Sequence, residues 1–291
     1  MSPFLIQLLS FLVRYYIWIA ICAVSMLYRT LLLLDLPFSG CLGLTVFSST
    51  VVGYYGWQMF GLYRIAAAAK QDKQVVKLPN HLLYHVVWFG LNVVIVVICF
   101  LFCLSAWAQF CLLFSGCLVA LYVVPVIKSK NLRQITGLKI LIIAMVWVLA
   151  TVVLPVAQIG APDWANYTGV LGWILAERFV FLILLCLPFD WRDVAVDQKA
   201  NIKTWPRLLG LEKTKYLFFT LVSLQCVLNI VIYYLFLQQI NLVLITIILP
   251  ILLIFLATKA FKYPQNSILF IFLDGMMVVQ TLLLIVVGKY L

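Results

Sequence analysis

The segment from Asp190 to Gly210 follows directly on a long apolar run and reads Asp-Trp-Arg-Asp-Val-Ala-Val-Asp-Gln-Lys-Ala-Asn-Ile-Lys-Thr-Trp-Pro-Arg-Leu-Leu-Gly. It contains three of the nine acidic residues in the 291-residue chain. Because each residue of a helix advances by about 100°, Asp193 and Asp197 would lie about 60° and about 20° from the direction of Asp190. The spacing therefore predicts three carboxylates on one face of a helix.

This acidic face comes at the predicted carboxyl end of a membrane helix, where the helix dipole already places partial negative charge. Arg192 and Lys199 fall on the opposite side of the same helix, so we do not expect them to neutralise it. A divalent cation such as Mg²⁺ would remove the conflict, since hard cations are held by one or two carboxylates together with substrate phosphates. A solvated acidic loop is the alternative interpretation.

The composition indicates an integral membrane protein. Hydrophobic residues make up 66% of the chain, charged residues make up 10%, and the mean hydropathy is +1.16. Soluble domains are nearer to about 45–50% apolar and about 25% charged. Runs of about 20 apolar residues, each long enough to cross a bilayer core of about 30 Å, recur throughout residues 1–291, which we interpret as one all-α membrane domain. Nine transmembrane helices are predicted, at about 15–34, 42–66, 81–103, 105–126, 138–158, 168–189, 214–237, 241–258 and 266–287.

The basic residues predict the orientation. Most of the 20 Lys and Arg residues lie in the loops after the second, fourth, sixth and eighth predicted spans, and the intervening loops contain none. By the positive-inside rule, these four loops and the amino terminus face the cytosol. The net charge of +11 is confined to short loops, so we do not expect a nucleic-acid partner. The expected location is a bacterial inner membrane, with the bilayer as a partner.

The motif itself closely resembles the second aspartate-rich motif of the UbiA-type membrane prenyltransferases. That motif has the form (N/D)xxDxxxD and is followed by a basic residue, a threonine and a closing glycine. Here the three aspartates are followed by Lys199, by Lys203 with Thr204, and by Gly210. The resemblance implies helices bundled around a central cavity that opens toward the cytosol and the lipid. It also implies an enzyme that transfers a prenyl group from a prenyl diphosphate to a lipophilic or aromatic acceptor.

The resemblance further implies a set of site residues. Asp193 and Asp197 would be the catalytic carboxylates, and Asp190 would join them in binding Mg²⁺ on the prenyl diphosphate. The cations expected to contact the diphosphate are Lys199, Lys203, Arg133 and Arg64. In the basic loop that ends at Lys139, Arg133 or Lys139 would close over the diphosphate, and contact with anionic lipid is the alternative.

Family members also carry a first motif, NDxxDxxxD, at the cytosolic end of the second span. The corresponding region here contains no acid before Asp72 and places Arg64 where a metal-binding carboxylate is expected. Arg64 then either binds the diphosphate directly or forms an ion pair with Asp190 or Asp193. A third interpretation is that Asp72 contributes from a loop. The departure supports an alternative function, in which the protein keeps the fold, has lost transferase activity and acts as a lipid- or partner-binding membrane subunit.

Charged residues within membrane spans are costly and often functional. Glu177 and Arg178 are adjacent in the sixth predicted span, and Asp274 lies in the ninth. Adjacent residues point about 100° apart on a helix, so Glu177 and Arg178 each require a partner on another helix. Asp274 is a candidate partner for Arg178, either as a packing contact or as a contact to an acceptor. We expect Arg29 near the outer edge, close to Asp35.

The eight cysteines lie almost entirely in apolar runs without a CxxC pair, and we interpret them as small buried hydrophobic residues. His81 and His85 have the spacing of a helical metal-binding pair. No third ligand lies near them in sequence, so we interpret them as interfacial polar residues.

Overall fold

Helices account for all regular secondary structure in the described part of the chain, which comprises residues 3–71, 82–124, 131–160 and 167–290 of the computed structural model. The helices are α1 Pro3–Arg14, α2 Ile17–Leu33, α3 Gly40–Gln71, α4 Leu82–Phe102, α5 Ala106–Val123, α6 Leu138–Ile159, α7 Thr168–Arg192, α8 Val194–Lys199, α9 Trp205–Leu209, α10 Leu211–Phe236, α11 Ile240–Lys262 and α12 Ser267–Tyr290. Helices satisfy their own backbone hydrogen bonds, which lipid cannot do for them. The all-α prediction is confirmed.

Seven helices in these described ranges are long and apolar enough to cross a membrane, namely α4, α5, α6, α7, α10, α11 and α12. Helices α1 and α2, bent by 74° at the break between them, add an eighth if they are counted as one span. Helix α3 occupies the position of the second predicted span, so a helix is found at each of the nine predicted positions. The polytopic membrane architecture is therefore as predicted, and the described residues contain seven or eight of the nine predicted spans as helices of sufficient length and hydropathy.

The chain forms two compact units. The first comprises Met1–Val24 and Phe38–Leu104, and the second comprises Ser25–Pro37 and Ser105–Leu291. In the first unit, buried Ala20, Val51 and Tyr55 form an apolar cluster that includes several aromatic side chains. The Tyr55 hydroxyl lies 2.8 Å from Nδ1 of His85, so this histidine belongs to an aromatic cluster. His81 lies outside the described residues.

A disulfide joins Cys41, at the start of α3, to Cys103, just after α4. The interpretation of these two cysteines as buried hydrophobic residues is therefore wrong, because they lie at adjacent helix ends that the chain brings together. Both lie at helix ends predicted to face away from the cytosol, where disulfides persist. Among the described residues, Cys41, Cys99 and Cys103 are also the one group of at least three potential metal ligands that comes close together, but two of these sulfurs are bonded to each other.

The second unit is built around α6 and α7. In the apolar stretch of each helix, 61% and 56% of the residues are buried inside the protein. Two helices of this unit contain a turn of π-helix, Leu149–Val153 in α6 and Val231–Phe236 in α10. Pro155 has no N–H to donate to the carbonyl of Thr151, which favours the wider turn just before it. Both π-turns contribute side chains to the polar network within the membrane.

Candidate functional site

The aspartate motif begins on α7 and continues beyond the end of that helix. Pro188 lies inside the last turns of α7, where its missing N–H weakens the helix. The helix ends at Arg192, and Asp193 (φ −88°, ψ 3°) separates α7 from the short helix α8. Asn201, in the left-handed region at φ +54°, follows α8. The prediction of three carboxylates on one continuous helical face is therefore wrong, because the helix is interrupted at the central aspartate.

Asp190 and Asp197 converge on a single cation. The Nζ atom of Lys139 lies 2.8 Å from Oδ1 of Asp190 and 2.7 Å from Oδ2 of Asp197. Arg133 places Nη2 3.1 Å from the other oxygen of Asp197, Oδ1. The Asp197 side chain is fully buried, and those of Asp190 and Lys139 are 4% and 8% exposed. Two carboxylates and two cations thus form a nearly enclosed and electrically neutral cluster.

One oxygen of this carboxylate–cation cluster has no partner. Oδ2 of Asp190 is buried and receives no hydrogen bond from the described residues. An unpartnered carboxylate oxygen away from water is costly. It is available to bind a further cation or a donor from a ligand.

Asp193, in contrast, does not belong to the cluster. Its carboxylate pairs with the neighbouring Arg192 side chain, at 2.8 Å from Nε, and about a third of each side chain is exposed. Arg192 also lies over the rings of Phe189 and Phe270. The expectation that Arg192 would leave the aspartates unneutralised is wrong for Asp193, because the interruption of the helix brings the two side chains together.

The loop that carries Arg133 docks on the loop that follows α8. The Gly137 N–H donates to the carbonyl of Lys203 at 2.9 Å, and the Trp205 ring lies close to the Gly137 backbone. The short helix α9 follows Thr204 and ends before Gly210, which has φ +80°. The Thr204 hydroxyl makes no capping hydrogen bond. This docking fixes the backbone on both sides of the carboxylate–cation cluster.

Replacement of Gly137 by alanine is expected to destabilise the fold by about 1–3 kcal/mol, since the backbone at φ +73° disfavours a side chain. A Cβ atom there would also lie 2.8 Å from Nε1 of Trp205. Thermal unfolding in detergent measures the effect. The matched control is Gly116→Ala on α5, where nothing lies within 4 Å of the new methyl group. Equal melting temperatures for the two variants would show that the docking contributes nothing.

The remaining predicted diphosphate contacts lie outside this arrangement. Lys199 and Lys203 are exposed on α8 and on the loop after it, and their side chains do not reach the cluster. Arg64 lies within α3, but its side chain falls outside the described residues, as does Asp72. The alternatives for Arg64 therefore stay predictions.

A second polar site lies within the membrane, 13 residues before Asp190 on α7, or about 20 Å along the helix axis. Glu177 is fully buried and accepts from Nη1 of Arg29 at 2.8 Å. Its other oxygen accepts from the amides of Gln225 and of Gln280, the latter at 2.8 Å. Arg29 also donates to the Tyr233 hydroxyl at 3.0 Å. Arg29 is therefore a fully buried partner of Glu177, and its expected position near the outer edge, close to Asp35, stays a prediction.

Arg178 is buried beside this network and has no carboxylate partner among the described residues. Its Nη1 donates to the Met26 carbonyl and to the Thr151 hydroxyl, both at 2.9 Å, and its Nη2 donates to Thr30 at 3.2 Å. The suggested pairing with Asp274 is not formed. Arg29, Glu177 and Arg178 together carry one net positive charge, and neutral oxygens on neighbouring helices stabilise it.

Comparison with solved structures identifies the architecture. The chain is similar to a digeranylgeranylglyceryl phosphate synthase, with a TM-score of 0.61 and 17% identity over 97% of this chain and 98% of that one. It is also similar to the apo structure of a UbiA homolog from Aeropyrum pernix K1, with a TM-score of 0.64 and 14% identity over 90% and 96%. No family model and no curated protein matches the sequence. The chain has the fold of the UbiA-type membrane prenyltransferases.

Proposed function

We propose that this protein is a membrane prenyltransferase, which transfers a prenyl group from a prenyl diphosphate to a lipophilic or aromatic acceptor. The observation that carries the proposal is the convergence of buried Asp190 and Asp197 with Lys139 and Arg133 at one end of an apolar helix bundle. The shared fold supports it, since one of the similar structures is a synthase of a prenylated glyceryl phosphate. We further propose that this end of the bundle faces the cytosol of a bacterial inner membrane, as the basic loops predict.

The ligand atoms that these residues offer are of the kind that a magnesium ion prefers. Asp190 and Asp197 supply hard carboxylate oxygens that already converge on one cationic nitrogen, and Oδ2 of Asp190 has no partner. Mg²⁺ prefers one or two carboxylates together with substrate phosphates. When bound, it would neutralise charge that develops on the diphosphate leaving group. Asp193 would not be a ligand in this arrangement, because Arg192 holds it.

The protein's own residues have three tasks in the proposed reaction. Arg133 and Lys139 donate hydrogen bonds to phosphate oxygens, which stabilises the departing diphosphate. The apolar helices hold the prenyl chain and exclude water from the carbocation that forms when the carbon–oxygen bond breaks. The electron pair of that bond leaves with the diphosphate, and an acceptor carbon forms the new bond and releases a proton. Exposed Lys199 and Lys203 attract the anionic substrate.

Binding of a long-chain prenyl diphosphate is expected to raise the melting temperature of the purified protein, and this shift should require Mg²⁺. A ligand that binds only the folded state stabilises it by mass action, by about 2.7 kcal/mol at 100 times the dissociation constant. Differential scanning fluorimetry in detergent measures the shift. Pyrophosphate and a prenyl alcohol are the two half-ligand controls. Absence of any shift would contradict the proposal and favour a lipid- or partner-binding subunit without transferase activity.

A further inference from the structure

We propose that Lys139 is the exchangeable counter-ion of the Asp190–Asp197 pair, and that a divalent cation and the Lys139 ammonium group compete for one position. On release, the ammonium group turns to the diphosphate. The inference rests on the proposed function for its diphosphate step. The competition itself rests only on the geometry of the three side chains.

The point between the Asp190 and Asp197 carboxylates holds one cation at a time. The Lys139 Nζ atom lies at 2.7 and 2.8 Å from one oxygen of each carboxylate, so it occupies the point at which both side chains converge. A magnesium ion binds oxygen at about 2.0–2.1 Å, which requires the two carboxylates to close on that same point. The side chains involved are almost completely buried, and water does not screen the repulsion between two cations there.

The charge of the cluster explains why the exchange favours substrate. Asp190, Asp197, Arg133 and Lys139 are neutral together, so a divalent cation added alone leaves an excess of two positive charges in a buried site. A diphosphate supplies the missing negative charge and accepts hydrogen bonds from the displaced ammonium group. Lys139 therefore opposes binding of the metal ion alone and favours binding of the metal ion together with diphosphate. Lys139 thereby couples the binding equilibrium of the metal ion to that of the diphosphate.

The backbone around Lys139 allows its side chain to move alone. Lys139 is the second residue of α6, and the preceding Gly137 is anchored to the Lys203 carbonyl at 2.9 Å. Its flexible four-carbon side chain can swing the ammonium group to a new acceptor while the helix stays in place. Arg133 remains on Asp197 from the other side and keeps that carboxylate in position.

The test is Mn²⁺ binding to the full-length protein, followed by electron paramagnetic resonance, with Mn²⁺ as a probe for Mg²⁺. Lys139→Met is expected to bind Mn²⁺ at least about tenfold more tightly than the wild type, because it removes a cation held in direct contact with both ligands. Lys213→Met is the matched control, since it removes the same charge from an exposed position at the start of α10. Added pyrophosphate should tighten Mn²⁺ binding strongly in the wild type and much less in Lys139→Met.

A second measurement uses the wild type alone, in case Lys139→Met folds poorly. Acetylation of lysines, followed by mass spectrometry of peptides, should modify Lys139 faster when Mg²⁺ is present, while the rate for exposed Lys199 stays unchanged. Equal Mn²⁺ affinity in the wild type and Lys139→Met, or a Lys139 acetylation rate that does not respond to Mg²⁺, would overturn the inference. If the proposed function fails instead, prenyl diphosphate does not stabilise the protein, yet the Mn²⁺ affinities still differ.

Discussion

Replacement of Glu177 by glutamine is expected to destabilise the protein by about 3–5 kcal/mol, the usual cost of removing one partner of a buried ion pair. In the part of the chain that the structure describes, Glu177 is the one carboxylate that contacts Arg29 and the amides of Gln225 and Gln280, and all four residues are fully buried. Without it, two guanidinium groups remain in the membrane interior with no counter-ion. Unfolding by heat or by a denaturing detergent measures the loss.

The loss of hydrogen bonds adds to the destabilisation that the loss of charge causes. Glu177 receives three donors, from Arg29, Gln225 and Gln280, and the carboxylate accepts all of them. A glutamine has one acceptor oxygen, and its amide nitrogen is itself a donor. At least one donor therefore faces another donor in the variant. A buried polar group left unpaired in this way costs a further amount of about 1–3 kcal/mol unless the network rearranges.

The matched control for this prediction is Glu212→Gln. Glu212 pairs with Lys215 at 3.0 Å on the surface of α10, where the two side chains are 73% and 38% exposed. Pairs of this kind contribute no more than about 1 kcal/mol. Replacing both Arg29 and Glu177 by methionine should recover part of the stability that Glu177→Gln loses, since it removes the unpaired charge. If Glu177→Gln were as stable as Glu212→Gln, the network would not be held by its charges.

The sequence predicts the fold well because membrane spans depend on local composition. A run of about 20 apolar residues must form a helix in lipid, whatever its neighbours are. Helical geometry also predicts that Glu177 and Arg178 need separate partners, and the structure gives each of them contacts on other helices. The identity of these partners is not local. Arg29 lies 148 residues from Glu177, and no spacing rule connects them.

The candidate site is less predictable, because its geometry depends on contacts between residues that are far apart in the sequence. The motif marks Asp190, Asp193 and Asp197 as one set because their spacing fits a continuous helix. The interruption of the helix at Asp193 depends on Pro188 and on the packing of the following loop, and it separates the central aspartate from the other two. Lys139 was one of two loop cations expected near the diphosphate. Only the tertiary structure shows that it lies directly between two of the carboxylates.

This geometry predicts unequal roles for the aspartates. Asp197→Asn is expected to weaken Mg²⁺-dependent binding of prenyl diphosphate by at least about 100-fold, since even residues that only orient metal ligands contribute about 10–100-fold. Asp193→Asn is expected to change it by less than about threefold, because Asp193 forms a pair with Arg192 in which about a third of each side chain is exposed. Calorimetric titration in lipid nanodiscs with Mg²⁺ measures both affinities.

In this comparison, the effect of a destabilised fold must be separated from the effect of losing a carboxylate that would bind the metal ion. Asp197→Asn leaves Lys139 and Arg133 with one carboxylate between them, so part of its effect arises from an unpaired buried cation. Combining it with Lys139→Met restores the neutral charge of the cluster, and this double variant should fold like the wild type yet still fail to bind diphosphate with Mg²⁺. Equal affinities for Asp193→Asn and Asp197→Asn would mean that substrate rearranges the motif into the single carboxylate face that its spacing predicts.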